Sequence, residues 1–523
     1  MPPSQSEAEE ALIELLARRA ARSTMNGFVH YTMPTVQDAW YHPVVDSYLD
    51  RLVRGEIKRL MLLMPPRHGK SERVSRRLPA FYLGNNPDHE IIACSHTMAL
   101  IGRMSGDVKR VMESPAYSRL FPDVRLPSRS GSERNTTEFW QVAGRLGSYR
   151  AGGVGAGITG QGFHLGIIDD ITKGYEQASS QTWRDKTWHW YGGDFYTRQA
   201  PDAKILITAT PWDRDDLMGR LQELQIQDEN ADQWTVVRFP ALYDDRPGPY
   251  DLRFELDCPL WEDRFNRKTL SSIQSTLGTQ MFTALYQCRP DAAGGNRFRE
   301  EWLMAYEDAG DRWIVNGIGY LKTTCTIYVA VDPASSEKKS ADYTAMGVFA
   351  VTPKNDMLIL DMVNEQMGAE AIPRRLKILS DKWSPAFIIF EVNGFQTTVA
   401  KGAQQIPGMP PISHVTAFQS KIVRAYPAMV ACEQRQIHIP RQGPQFEPQP
   451  WLRPLVQQLI QFRGVGDETD DMVDTVSYAI LKKNSLGMRK DVAAVGIAPE
   501  PVEYAQPVMP DDWTAGAHRL LPS

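Results

Sequence analysis

"RLMLLMPPRHGKSE", residues 59–72, carries an apolar strand into a Gly-Lys-Ser loop and then into a basic, helix-prone stretch. The spacing is that of a phosphate-binding loop, G-x-x-x-x-G-K-[ST], with Gly69, Lys70 and Ser71 in place and Met64 where the first glycine belongs. Such a loop aims successive backbone N–H groups and a helix N-terminus at a phosphate. The lysine adds a point charge, and the serine hydroxyl ligates magnesium. Pro65 and Pro66 can hold the loop open where the glycine is missing. The candidate nucleotide-binding residues are Pro66, Arg67, His68, Gly69, Lys70, Ser71 and Glu72. A Gly-Lys-Ser alone is a short signal, and its bland alternative is an ordinary loop before a basic helix.

Working outward, "HLGIIDDITKG" ends an apolar run on Asp169 and Asp170. A magnesium-orienting acid belongs at such a strand end, and a second acid can orient the attacking water. "KILITATPW" ends another run on Thr208, Ala209 and Thr210, a candidate coupling element between a nucleotide and a moving part. Between them, "GRLGSYRAGGVGAGITGQGF" is dense in glycine and carries Arg145 and Arg150. It reads either as a flexible loop placing an arginine finger on a neighbour's phosphate or as a hairpin with solvated arginines.

The chain of 523 residues is too long for one ordinary domain. Its formal net charge of -5 excludes a generally basic nucleic-acid coat and leaves room for local basic grooves. The five cysteines are scattered without a C-x-x-C pair, which predicts reduced thiols rather than a disulfide frame or zinc site. No apolar run is long enough to span a membrane and the N-terminus lacks the form of a secretion signal, so the expected location is cytoplasmic.

Short apolar runs bracketed by turn residues predict an α/β protein with parallel, doubly covered strands. The expected divisions are an N-terminal helical arm at 1–30, a phosphate-loop ATPase domain at 31–235 and a connector at 236–315. A second α/β domain at 316–485 and a flexible, proline-rich tail at 486–523 complete the chain.

In the second α/β region, "IYVAVDPA" ends a strand at Asp332 and "AFIIFEVNG" ends another at Glu391. "DETDDMVDTVSYAI" opens a helix with Asp470, Asp471 and Asp474. Acids from two strand ends and a helix start would make an oxygen cage for two magnesium or manganese ions, the pair that assists phosphodiester cleavage. Capping and the helix dipole also favour Asp at a helix start, and Asp332 before a proline also suits a turn. Lys421 and Arg424, three apart on a predicted helix, suit sequence-independent contacts to DNA phosphates or, equally, a solvated face.

The ordered set "MPPRHGKSE", "TGQGFHLGIIDD", "ITATPW", "VAVDPA", "IIFEVNG", "KIVRAYP" and "DDMVDTVSYAI" resembles the large terminase subunit of tailed bacteriophages over residues 35 to 485. The resemblance implies an ATPase domain of the ASCE class (an additional strand plus a catalytic acid), followed by a ribonuclease H-like nuclease domain. It also implies a DNA-packaging function: ATP-driven translocation of double-stranded DNA into procapsids and endonucleolytic cutting of concatemers. ATP and magnesium would be the cofactors, with manganese an option at the nuclease. Partners would be duplex DNA, the portal protein and a small terminase subunit. The chain would work in the host bacterial cytoplasm, docked transiently on the procapsid, as a ring on the portal and monomeric in isolation.

By the same resemblance, Lys70 and Ser71 hold phosphate and magnesium and Asp169 orients the metal. Asp170 stands where a catalytic Glu is usual; being one methylene shorter, it leaves room for Glu176 to assist. Arg150 or Arg145 is the trans-acting finger, and Thr208 to Thr210 couple the motor. Asp332, Glu391 and Asp471 ligate the nuclease metals, with Asp470 and Asp474 as rivals for the third place and Thr469 where relatives carry His. Trp40 and His42 stand near an adenine-contacting segment. The rival readings are a helicase-nuclease of DNA repair and a structural ring subunit stabilised by nucleotide.

Overall fold

The computed structural model describes residues 5–128, 133–155, 158, 160–244, 248, 250–290, 297–333, 343–392, 396–415, 419–442, 446–464, 467 and 470–486. Thr469, part of the glycine-dense loop and the expected tail beyond residue 486 lie outside the described residues. The chain divides into two compact units. The first comprises Met1–Arg299, Ala417–Gln434 and Gln457–Ser477; the second comprises Glu300–Thr416, Arg435–Val456 and Tyr478–Ser523.

The first unit holds a sheet of β1 (Arg59–Leu63), β2 (Glu90–Ser95), β3 (Phe139–Gln141), β4 (Ser148–Gly153), β5 (Phe163–Asp169), β6 (Gln199–Ala209) and β7 (Thr235–Arg238). Its order is β3-β4-β2-β5-β6-β1-β7, and every pairing except β3–β4 is parallel. The alternation of β1 explains its uniformly apolar sequence. Leu60 and Leu62 enter one core beneath the sheet, while Met61 and Leu63 enter the other. A strand covered on both faces gains roughly 1.5–3 kcal/mol for each such side chain it buries. Strand β6 lies between the loop strand β1 and the acid strand β5, which is the additional strand of the ASCE class. Registers Thr208↔Leu62 and Asp169↔Thr208 bring the ends of all three strands level.

The second unit holds β8 (Met304–Asp308), β9 (Arg312–Val315), β10 (Ile318–Leu321), β11 (Thr326–Asp332), β12 (Tyr343–Val351), β13 (Met357–Gln366), β14 (Phe387–Glu391), β15 (Ile412–Val415) and β16 (Ile437–Pro440). The order is β10-β9-β8-β16-β13-β12-β11-β14-β15. Strands β11, β12 and β13 pair antiparallel in succession, and β14 then joins β11 in parallel with β15 beyond it. This is the ribonuclease H-like arrangement: a three-strand meander whose first strand also borders a parallel pair.

Three boundaries differ from the sequence-based division. The helix Met25–Thr32 is not a free arm, because Met25, Phe28 and Val29 are buried in the main core. Within the expected connector, β7 completes the first sheet, and Leu260 and Trp261 join the same core. The second sheet begins at Met304 rather than near 316, its first strands being short and only partly buried. Among the described residues no helix is long and apolar enough to cross a membrane, and all five cysteines carry free thiols.

Candidate functional sites

The loop after β1 takes a left-handed turn at two positions, Arg67 with φ 65 and Gly69 with φ 88. At Gly69 the requirement for glycine is double. Positive φ disfavours a side chain, and a Cβ there would stand 2.6 Å from Nε2 of His42. His42 accepts the Ala39 N–H at Nδ1 (2.9 Å), which leaves the proton on Nε2 to donate to the His68 carbonyl at 3.2 Å. The Tyr41 hydroxyl donates to the same carbonyl at 3.0 Å. Burial holds His42 neutral by pushing its pKa down to about 4, so its approach to Asp38 is not an ion pair. His42, placed near the adenine by the resemblance, therefore props the phosphate loop from beneath. The His68 ring stacks on Phe265 with centroids 4.6 Å apart.

A π-helical turn, Glu72–Arg77, follows the loop and widens the helix start. It brings the Ser75 hydroxyl onto Asp169 Oδ2 in a short hydrogen bond. Asp169 is fully buried, and its Oδ1 has no hydrogen-bond partner among the described residues. Burial, reinforced by the neighbouring Asp170 charge, raises its pKa to about 6, with Lys70 and the Ser75 and Ser71 hydroxyls acting in the opposite direction. An orphaned, buried carboxylate oxygen beside the loop serine is what a hard divalent cation would satisfy, so Asp169 and Ser71 fit magnesium.

Lys70 is buried, and its Nζ donates to Asp170 Oδ1 at 2.8 Å and to Thr210 Oγ1 at 3.0 Å. Asp170 has φ 46, a strained position held through its carbonyl, which accepts from the His96 N–H and side chain and the Ser95 hydroxyl. Thr208 donates to the Leu62 carbonyl at 3.2 Å, tying β6 to β1, and Ala209 is buried between them. The loop lysine, the second acid and the threonine pair of three neighbouring strands thus meet in one cluster.

Arg150 departs from the flexible-loop expectation. It lies within β4, opposite Ile92, with its guanidinium over the Phe139 ring at 4.9 Å and Nε donating to Gln161. Arg145 lies in the turn before β4, at the sheet edge opposite the phosphate loop, and approaches Asp88 at 3.9 Å. Glu176 is exposed on the short helix Tyr175–Ser179.

In the second unit, Asp332 and Glu391 each follow the last registered pair of β11 and β14, Val331↔Phe390, and so stand side by side at one end of the sheet. Glu391 is buried, and Oε2 accepts the Tyr478 hydroxyl at 2.6 Å. Tyr478 lies four residues beyond Asp474 on the helix Asp471–Leu486. Sequence reasoning missed it; its signal is the i, i+4 spacing that puts it on the face of the acid.

Asp470, Asp471 and Asp474 belong to the first unit. Asp470 accepts a short hydrogen bond from Lys421, and Asp474 accepts from Arg424 at 2.9 Å. Burial raises the Asp474 pKa to about 6 against the pull of Arg424 and Lys421. This changes the reading of the two cations. Arg424, with its side chain 10% exposed, is committed to Asp474; Lys421, 45% exposed, keeps some reach toward solvent. In this structure both cations pair with the acids of this helix start. Among the described residues no group of three or more His, Cys, Asp or Glu stands together as a metal cluster.

A family model described as terminase large subunit, T4likevirus-type, N-terminal, matches residues 61–305, which includes the loop, both acids and the threonine pair. Over residues 61–305 the chain is similar to the N-terminal region of large terminase subunits. No curated protein matches it by sequence. Among solved structures, a large terminase from a thermophilic bacteriophage is 10% identical with a TM-score of 0.43, covering 87% of this chain and 97% of that one. The HK97 bacteriophage large terminase is 11% identical with a TM-score of 0.33, covering 85% and 96%. The large terminase nuclease from thermophilic phage G20c with bound magnesium is 18% identical with a TM-score of 0.26, covering 36% of this chain and 98% of that one. At such identities these likenesses transfer no residue role to this chain.

Proposed function

We propose that this chain couples ATP hydrolysis to the translocation of double-stranded DNA into procapsids and cuts concatemeric DNA with a two-metal nuclease. The observation that carries the motor half is the Lys70–Asp170–Thr210 cluster beside the orphaned Asp169 oxygen. Without nucleotide, Lys70 neutralises Asp170. A bound phosphate competes for the lysine and releases Asp170 to orient water, while Thr210 loses its lysine partner and passes the change to β6. Magnesium, held by Ser71 and Asp169, would neutralise charge on the transferred phosphate. Arg150 serves a neighbouring copy once its bond to Gln161 opens. Thr208 and Ala209 keep β6 fixed to β1 through the cycle.

For the nuclease half, Asp332 and Glu391 are the paired acids that would hold the metal. When bound, two divalent ions would stabilise the attacking and leaving oxygens. Duplex DNA, the portal and a small subunit are the partners this reading requires, in the bacterial host cytoplasm. Two substitutions test it on one preparation. Lys70→Ala should abolish ATP turnover and packaging while metal-dependent cutting persists, and Asp332→Ala should do the reverse. Wild-type plasmid cleavage by Asp332→Ala in magnesium or manganese would remove the nuclease assignment.

A further inference from the structure

The loop that follows Asp170 leads directly into a second feature of the first unit, a cavity of about 650 Å³. Lys173 and Lys186 line it together with Trp183, Glu176, Ser180 and Ser420. Neither lysine has an acid within ion-pair distance among the described residues, so the walls carry two positive charges without a carboxylate partner and one exposed Glu. Lys186 lies one turn beyond Trp183 on the helix Gln181–Trp190, with Nζ 5.5 Å from the centre of its ring. The indole Nε1–H of Trp183 is buried and donates to nothing among the described residues. Two cations without a carboxylate partner, hydroxyls and an unused indole donor are complementary to a phosphodiester backbone, whose anionic oxygens they can meet.

We infer that this cavity grips the backbone of duplex DNA during translocation. The inference rests on the packaging reading and deepens it by naming the contact. Its placement gives the coupling a short route. Asp170, bonded to Lys70, and Lys173 lie on one turn of chain three residues apart, so a change at the phosphate loop reaches the DNA grip without crossing the sheet. The grip is sequence-independent, since neither lysines nor an indole face can read a base pattern here.

The test uses the full chain, a duplex of random sequence and a salt titration. Each lysine on a phosphate contributes about 1 to the slope of log affinity against log salt, so Lys173→Ala with Lys186→Ala should lower the slope by about 2 and weaken binding at low salt. ATP turnover without DNA should stay at the wild-type rate, and Lys173→Arg with Lys186→Arg should restore the slope. An unchanged slope in the alanine pair overturns the inference, as does equal weakness of the arginine pair, which would mark a structural role. A raised KM for ATP in the alanine pair would mark a nucleotide site and also overturn it. Failure of the wild-type chain to bind duplex DNA at all would instead bring down the packaging reading itself.

Discussion

Two pairs of carboxylates end strands in the two units, and they are held in different ways. Asp169 ends β5 and Asp170 follows it off the strand, so their side chains take opposite roles. One is sealed with an unsatisfied oxygen, and the other turns outward at φ 46 to meet a lysine. Asp332 and Glu391 come from neighbouring strands and lie side by side, and a tyrosine hydroxyl donates to Glu391. The first arrangement suits a ligand that brings its own negative charge and must displace a lysine. The second sets two acids side by side, the kind of oxygen-rich pair that suits hard divalent cations.

The sharpest way to separate the two sites is to strain the loop of one. Gly69→Ala puts a Cβ at φ 88, at about 1–3 kcal/mol, and displaces His42 from the His68 carbonyl, at roughly another 1 kcal/mol. That total predicts a loss of about a hundredfold in kcat/KM for ATP, measured by steady-state turnover, with cleavage unaffected. Equal damage to both activities would mean the loop supports the whole fold rather than its own site.

Tyr478→Phe is the matching probe on the other side. Losing the hydroxyl leaves the buried Glu391 oxygen without its donor, and such supporting bonds typically set metal affinity by about 10- to 100-fold. Cleavage should therefore need at least roughly tenfold more magnesium, at an ATP turnover equal to wild type. An unshifted metal titration would show that Tyr478 only packs the helix.

The contrast also marks what could be read in the sequence. Runs such as "RLMLL" and "FIIFE" announce strands because both faces are covered, and the candidate site residues stand where such runs end. The phosphate loop, the acid pair at the end of β5 and the strand-end acids Asp332 and Glu391 all follow that rule. Contacts distant along the chain do not. Nothing local in "KIVRAYP" says that Lys421 and Arg424 will be taken up by Asp470 and Asp474. Nor does the glycine-dense stretch around Arg150 reveal that β2 will draw it into the sheet by pairing. Strand β8, half exposed and only five residues long, has too little alternation to announce the second sheet.

The last difference is one of protons. Asp169 has a folded-state pKa raised to about 6 from the ordinary 3.8, chiefly by burial. A raised acid contributes stability that is present below about pH 4 and is lost as the pH climbs through 6, so this site weakens the nucleotide-free fold as it ionises. Metal binding has the opposite sign, because only the ionised carboxylate ligates. Affinity for magnesium with ADP should therefore fall about tenfold for each pH unit below 6 and level off above it. Thermal melts with and without saturating magnesium-ADP should show a stabilisation that is small at pH 5 and grows to a plateau by pH 7. Asp169→Asn carries the nucleotide's own titration as background, and its melting gain should vary much less with pH. A wild-type gain that is already full at pH 5 would mean that the buried carboxylate is ionised there, and the orphaned oxygen would then need another partner to explain it.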